Sequence, residues 1–539
     1  MRRILSASQM RKCDGYTSEY FGVEPVVLME RAALTTFISV CNCGRMYEDS
    51  KTLIICGTGN NGADGLALAR ILFEGGYPAD FCIPFDSGKR SGLFEKQLRI
   101  LEKYGKSPIS ADKIKDEYDI VVDALFGIGL SRPLHDETVS FVEEINKLKG
   151  FHVAMDIPSG INADTGAVMG AAFEADLTVT YGFAKPGLVL YPGSGYAGEL
   201  LIANIGITDR SLEALEEEKA AGTYDSDSPI FVMEKDDLVR NLPVRPDDGN
   251  KGTFGKILIF AGSKDISGAA TLSALAALKA GAGMVKLVTD PANAQILKTT
   301  VPEAMVTTIG LHNSIRDVGT EDFPIGEDKE NILKDIEWAD VILAGPGIGT
   351  TRESKRILEL LLENSGDKPV VIDADGLNII ADKVDGISDT LIKGRRGFTV
   401  FTPHIGELSR LTGINTKALK EDPVGAARSY AADAKVCLVS KDAVTVVTEG
   451  REAILISSGN NGMATAGSGD VLAGIIAAFL GSCRGRAREA VLNAVYIHGM
   501  SGTACLESMS EDSVTAGDII VSLQRVMKLV RDEQKKTDG

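Results

Sequence analysis

Lys51-Thr-Leu-Ile-Ile-Cys56-Gly57-Thr-Gly-Asn-Asn-Gly-Ala-Asp64-Gly65 joins an apolar run of strand length to a glycine-rich loop, and a helical pattern follows from Leu66. A buried strand, a loop and a helix in that order form the repeating unit of doubly wound parallel sheets. Gly57, Gly59 and Gly62 make a formal GxGxxG, the spacing of a dinucleotide-binding turn. In that reading, Asp86 is the one acid able to meet a ribose at the end of the next run, Phe81 to Phe85. The match alone carries little weight. Asn60, Asn61 and Asp64 are unusual in such a loop, because they add side-chain oxygens and donors to a turn that normally works through its backbone.

The unit recurs downstream. Tyr118-Asp-Ile-Val-Val-Asp123 runs into Ala-Leu-Phe-Gly127-Ile-Gly129, and Phe151-His-Val-Ala-Met-Asp156 runs into Ile-Pro158-Ser159-Gly160. Three strands thus bring Asn61, Asp64, Asp123, Asp156 and Ser159 to one rim, the rim at which parallel sheets bind ligands. A single aspartate at such a place is ordinarily a cap, but three strand ends of this kind together favour a site. Carboxylates, amides and hydroxyls suit a hard cation such as K⁺ or Mg²⁺ rather than zinc. His135 and His152 lack a partner at ligand spacing and read as structural or exposed. Upstream, Met10, Cys13, Tyr16 and Tyr20 recur at helical spacing, and a second helix is expected from Pro25 to about Cys41.

At 539 residues with 44% hydrophobic and 24% charged residues, the chain is globular and long enough for two or three domains. Its formal net charge of −18 argues against nucleic acid or an anionic membrane as a partner. The first residues lack a signal-peptide pattern and no run reaches membrane-spanning length, so a soluble cytoplasmic protein is expected. Eight scattered cysteines with no CxxC pair fit reduced thiols; Cys56, Cys82 and Cys437 sit in apolar runs and should be buried.

From about Asp209 to Ser228 the chain turns charged and then small and polar, reading as a linker with room for a short helix. Domains are expected at 1–222 and 223–535. In the second, Lys256–Ala261, Met284–Thr289, Val341–Ala344, Pro369–Asp373, Phe398–Thr402 and Val436–Ser440 are strand-like runs, each followed by a polar or glycine loop, which predicts a second doubly wound parallel sheet. Their ends carry Gly347, Asp373, Asp375, His404 and Lys441. Lys441 can neutralise a phosphate, and His404 either caps a helix or orients a ring amide. Trp338, the single tryptophan, reads as core. The last loop, Asn460-Asn-Gly-Met-Ala-Thr-Ala-Gly467-Ser-Gly469-Asp470, opens an unbroken apolar helix. Glycine N–H groups and a helix dipole cradle phosphate. Asp470 has no electrostatic use there except as a cap or as a general base.

Gly57–Gly65, Asp123-Ala-Leu-Phe-Gly-Ile-Gly129, Asp156-Ile-Pro-Ser-Gly160 and Ala184-Lys-Pro-Gly187 resemble the NAD(P)HX epimerases, the YjeF N-terminal family, over about residues 1–220. Thr402-Pro-His-Ile-Gly-Glu-Leu408, Lys441-Asp-Ala-Val-Thr445, Asn461 to Gly474 and Thr515-Ala-Gly-Asp-Ile519 resemble the ADP/ATP-dependent NAD(P)HX dehydratases over about 228–530. The resemblance implies two three-layer α/β/α domains, the first Rossmann-like and the second ribokinase-like. It implies epimerisation of R and S hydrated NADH or NADPH (NADHX and NADPHX) by the first, and ADP-dependent dehydration of the S form by the second. Substrate would lie on Asn60, Asn61, Gly62, Ala63 and Asp64, on Gly127, Ile128, Gly129, Leu130, Ser131, Arg132 and Pro133, and on Asp156, which is also the best-placed proton carrier. Leu134-His-Asp-Glu-Thr-Val stands where many relatives put a tyrosine. Asn61, Asp123 and Ser159 would hold K⁺. In the second domain Ala270, Gly347, His404 and Asp470 would contact the hydrate, Asp470 being catalytic. Lys441, Asp442, Ala443, Val444, Thr445 and Gly469 would contact the nucleotide, with Mg²⁺ on its phosphates. The expected partners are these small molecules and further copies of the chain in a homo-oligomer. A small-molecule kinase and a nucleotide sensor are the rival readings of the second half.

Overall fold

A computed structural model describes residues 1–86, 88–115, 117–220, 228–310 and 326–537. The chain divides into two compact units, Arg3–Ile230 and Phe231–Gly539, the latter together with Met1 and Arg2. The expected domain boundary at 222/223 lies outside the described residues. The linker expected to hold a short helix does form one, Asp209–Ala220.

After a short strand β1 (Arg2–Ile4), the first unit is built on β2 (Thr52–Cys56), β3 (Ala79–Cys82), β4 (Ile120–Ala124), β5 (Phe151–Met155), β6 (Leu177–Tyr181) and β7 (Glu199–Ala203). All pair in parallel, in the order β3-β2-β4-β5-β6-β7. Alternation along the strands separates two cores. Ile54, Cys56 and Val122 pack with helices Ala7–Glu19, Pro25–Asn42 and Asn60–Glu74 on one face. Leu53, Ile55 and Val121 pack with Val142 and Ile145 of helix Asp136–Ile145 on the other. Strand order reverses between β2 and β4, so the loops after these two strands flank the crevice where such sheets take ligands.

Two local expectations are corrected here. The helix after β2 begins at Asn60, not Leu66. Glycine disfavours helix, yet Gly62 and Gly65 sit flush on the sheet: a Cβ at Gly62 would lie 1.6 Å from the Gly57 oxygen, and one at Gly65 2.6 Å from the Ala124 Cβ. Close approach outweighs the propensity cost of about 1 kcal/mol per glycine. The inner face of the first helix is Met10, Cys13 and Thr17, while Tyr20 is exposed and stacks on Tyr16 with ring centroids 4.8 Å apart.

The second unit carries β8 (Ile230–Val232), β9 (Lys256–Phe260), β10 (Met284–Thr289), β11 (Met305–Thr308), β12 (Val341–Ala344), β13 (Val370–Ile372), β14 (Thr399–Phe401), β15 (Cys437–Ser440), β16 (Thr445–Thr448) and β17 (Ala453–Ile456). Their order is β8-β17-β16-β15-β14-β13-β12-β9-β10-β11, with the switch between β9 and β12. From β11 to β15 the pairing is parallel, as expected. β16 and β17 are antiparallel, which corrects the all-parallel reading. Only Lys441 to Val444 separate β15 from β16, and a parallel crossover needs a dozen residues or more. Helices Gly268–Lys279, Ser468–Ser482 and Ala487–Cys505 bury one face against Ile257, Ile259, Val341 and Leu343. Trp338 is half-buried, with the Lys286 ammonium 4.6 Å from its ring.

All eight cysteines are free thiols, with Cys56, Cys82 and Cys437 buried. Among the described residues no helix is long and apolar enough to cross a membrane.

Two candidate active sites

In the first unit a cavity of about 760 Å³ opens over the β2/β4 switch point. Asn60, Asn61 and Asp64 line it, as do all of Gly127 to Pro133 and Asp156. Gly62 and Ala63, expected to touch substrate, are buried against the sheet instead. Helical geometry forces this division, since positions 60, 61 and 64 share one face and 62 and 63 turn away. Asp86 is exposed and ion-paired with Arg90, so it has no part in the cavity and the ordinary dinucleotide reading of the glycine loop fails.

Below the loops the three expected cation ligands converge. Asp123 is fully buried; its Oδ1 accepts from the Ser159 hydroxyl at 2.7 Å and its Oδ2 from the Ser159 N–H at 2.7 Å. Asn61 Nδ2 donates to the Phe126 carbonyl at 2.9 Å, and the Phe126 N–H donates to Ser159 Oγ at 2.8 Å. The Asn61 Oδ1 is buried without a hydrogen-bond partner. Burial pushes Asp123 up to about 6, against the opposing pull of its Ser159 and Leu125 donors. A lone acceptor near a buried carboxylate that has hydrogen-bond donors and no ion-pair partner among the described residues is an arrangement suited to a small oxygen-seeking cation. His152, read as structural, is buried with both ring nitrogens on the backbone carbonyls of Glu174 and Leu148.

The cavity also holds groups to which the sequence reading gave no role. Lys185 is fully buried, and its Nζ donates to Asp156 Oδ1 at 2.5 Å, Thr180 Oγ1 at 2.8 Å and the Tyr181 carbonyl at 3.1 Å. Its signal was Ala184-Lys-Pro-Gly187, which carried the resemblance without a function. Asp14, from the opening helix, also faces the cavity. Burial, with Asp156 and Asp14 nearby, holds the Asp64 carboxyl well above the usual carboxylate range.

In the second unit Asp470 lies in the first turn of helix Ser468–Ser482, which begins two residues before Asp470, the expected helix start. Gly467 takes φ +87°, and a Cβ there would meet Leu272 Cδ1 at 2.4 Å. A Cβ on Gly469 would lie 3.1 Å from the Lys441 ammonium, so this glycine lets the cation reach the helix start. Lys441 Nζ donates to Asp373 Oδ1 at 2.8 Å, and the Thr402 hydroxyl donates to the same oxygen at 2.8 Å. Asp373 is therefore the buried counter-charge of Lys441, whereas Asp375 accepts the Gly349 N–H at 2.9 Å. Burial, then the neighbouring charge of Asp373, pushes Asp470 up to about 7.

His404 caps helix Ile405–Thr412, its Nδ1 accepting from the Gly406 N–H at 3.0 Å. Its Nε2 stands 3.4 Å from Glu407 Oε1, and burial with Lys441 nearby holds the ring below its usual range, hence neutral. Glu407, which the sequence reading passed over, is buried and raised by desolvation. Gly347 takes φ +63° beside Ala269, and its expected companion Ala270 is fully buried in the first turn of its helix. Asp442 and Ala443 are exposed at the β15–β16 turn, Thr445 is half-buried, and Val444 is buried.

Residues 257–525 match the family model of the NAD(P)H-hydrate dehydratases, and residues 25–187 that of the YjeF-related protein N-terminus. A protein of Thermofilum pendens named bifunctional NAD(P)H-hydrate repair enzyme Nnr is 34% identical over 98% of this chain and 97% of its own length. The chain belongs to the bifunctional NAD(P)H-hydrate repair enzymes. Relatives of the same name in Moorella thermoacetica and Escherichia coli are 33% and 31% identical, over 98% and 97% of this chain and 97% and 93% of theirs. A solved Bacillus subtilis structure, an ADP/ATP-dependent NAD(P)H-hydrate dehydratase co-crystallised with ATP and Mg²⁺, is 28% identical; it covers 56% of this chain and 98% of that one, with a TM-score of 0.47. As a bifunctional NAD(P)H-hydrate repair enzyme, the chain pairs an epimerase of the YjeF N-terminal type with an NAD(P)H-hydrate dehydratase.

Proposed function

We propose that the first domain, residues 1–222, interconverts the R and S hydrates of NADH and NADPH at C6, and that the second, residues 223–535, dehydrates the S form with ADP as phosphoryl donor. The observation that carries the second assignment is Asp470, half-buried at a helix N-terminus near Lys441 and pushed up to about 7. Asp470 takes the proton of the C6 hydroxyl as that oxygen attacks the terminal phosphorus of ADP, and AMP leaves. The N–H groups of Gly467 to Gly469 and the helix dipole carry the charge on the transferring group. Phosphate then leaves C6 with the bonding electrons, and loss of the C5 proton restores the ring double bond. Ala270, Gly347 and His404 hold the hydrate; Lys441 to Thr445 with Gly469 hold the nucleotide.

Mg²⁺ would accompany the nucleotide held by Lys441 to Thr445 and Gly469, and would supply positive charge to its phosphates. Among the described residues no group of three His, Cys, Asp or Glu side chains forms a metal cage. K⁺ fits the first domain, where Asn61 Oδ1, Asp123 and Ser159 offer only oxygens and a single charge. The protein acts in the cytoplasm as a homo-oligomer.

Incubating the purified chain with hydrated NADPH and ADP or ATP, and following absorbance at 340 nm, tests the assignment. Recovery with ADP and none without nucleotide is expected. No recovery with either nucleotide, together with phosphorylation of another small molecule, overturns it in favour of a kinase.

A further inference from the structure

Asp156 and Asp64 face one cavity with opposite surroundings. Asp156 adopts φ +69°, a left-handed conformation costly for any residue but glycine, and this turn sends its carboxylate into the cavity. Its Oδ1 collects the Lys185 ammonium at 2.5 Å, the Tyr181 N–H at 3.2 Å and the Thr180 hydroxyl at 3.3 Å. Lys185 is fully buried and all its protons are spent on this corner, so its charge serves nothing else among the described residues. Asp64 projects from the first turns of helix Asn60–Glu74 into the same cavity. Among the described residues no donor and no cation meets its carboxyl, and the charges that face it are the like charges of Asp156 and Asp14. The other ionisable groups around the cavity are Arg11, Arg132 and His135, all exposed, and Tyr181, whose hydroxyl is bonded to Thr36 at 2.9 Å.

Two carboxyl groups in one cavity, one held by a buried ammonium and the other meeting neither a donor nor a cation among the described residues, are the pattern of a base and an acid sharing one reaction. We propose that Lys185 is a positioning residue that fixes Asp156 as the proton acceptor of the epimerisation and thereby leaves Asp64 as its proton donor. This rests on the epimerase reading of the cavity. The step balances as follows. The C6–O bond breaks with its electron pair going to oxygen, which takes the Asp64 proton and departs as water. The lone pair of the ring nitrogen closes a C=N bond. Water adds to the other face of C6, the C=N pair returns to nitrogen, and the added water gives its surplus proton to Asp156. Asp156 then passes that proton to solvent, and Asp64 regains one. Lys185 keeps its own protons throughout.

The test follows R-to-S conversion by the full chain without nucleotide, with the epimers separated by chromatography between pH 5 and 9. D64N is expected to lose at least a hundredfold, within the usual 10²–10⁴ for a positioned acid or base. K185M is expected to move the acid limb of the rate profile to higher pH, since the Asp156 carboxylate has lost its counter-charge, and to recover at alkaline pH. If K185M melts before its assay temperature, T180V removes a donor from the same oxygen without leaving a buried charge, and a smaller shift in the same direction is expected. A D64N rate within threefold of the parent, or a loss in K185M or T180V that is equal at every pH, overturns the proposal. Absence of epimerisation above the spontaneous rate in the parent chain overturns the epimerase reading itself.

Discussion

Asp470 is ionisable where ionisation is costly, and this sets its pH behaviour. Its pKa of about 7 lies above that of an unfolded aspartate. The folded state therefore binds this proton more tightly than the unfolded state. The stability it contributes is complete below about 4 and is lost as pH rises through about 7. The base form appears over the upper part of the same interval, so dehydration should rise with pH to a limb near 7. Asp470→Asn is expected to cut kcat of dehydration by about 10²–10⁴. Above pH 7 the same substitution should raise the melting temperature of the second unit, because a partly desolvated charge repelled by Asp373 is gone. Steady-state rates and thermal melts from pH 5 to 9 check both.

At the scale of elements, glycines hold the first site together by the space they leave empty. Gly62 lets the helix after β2 lie against the Gly57 carbonyl, and that contact sets the directions of Asn60, Asn61 and Asp64. Gly62→Ala places a Cβ 1.6 Å from that oxygen and should cost about 1–3 kcal/mol by overpacking, read as a lower denaturation midpoint of the first unit with epimerase loss. Elements built from continuous apolar runs were legible in the sequence, because full burial leaves no other explanation for Thr52–Cys56 or Val341–Ala344. The β16–β17 hairpin is hidden, since Lys441–Thr445 carry a ligand-binding signature where β16 begins and each of the two strands is only four residues long. Lys185 was in view inside its motif. Its role depends on the folded neighbourhood of Asp156, Thr180 and Tyr181, which spacing along the chain does not encode.

Across the whole molecule, each unit has its own apolar core and its own ligand chemistry. Ligands that bind only the native state stabilise the unit that binds them. K⁺ in place of a larger organic cation is expected to raise the melting transition of the first unit and spare that of the second. ADP with Mg²⁺ should do the reverse. Calorimetry of the full chain under the four conditions reads both, and a shift of both transitions by either ligand would count against separate sites.

The charges around Lys441 have a consequence for how the nucleotide arrives. One ammonium faces Asp373, Asp470 and Glu407 on a chain of net charge −18. A bare diphosphate approaching this rim meets like charge at long range. Encounter is therefore uphill for the naked anion and easier once a metal ion has masked it. Added salt, which slows most enzymes that steer anionic substrates, should hasten capture here by shortening the reach of that repulsion. The second site is thus organised to select a neutralised visitor before any chemistry begins.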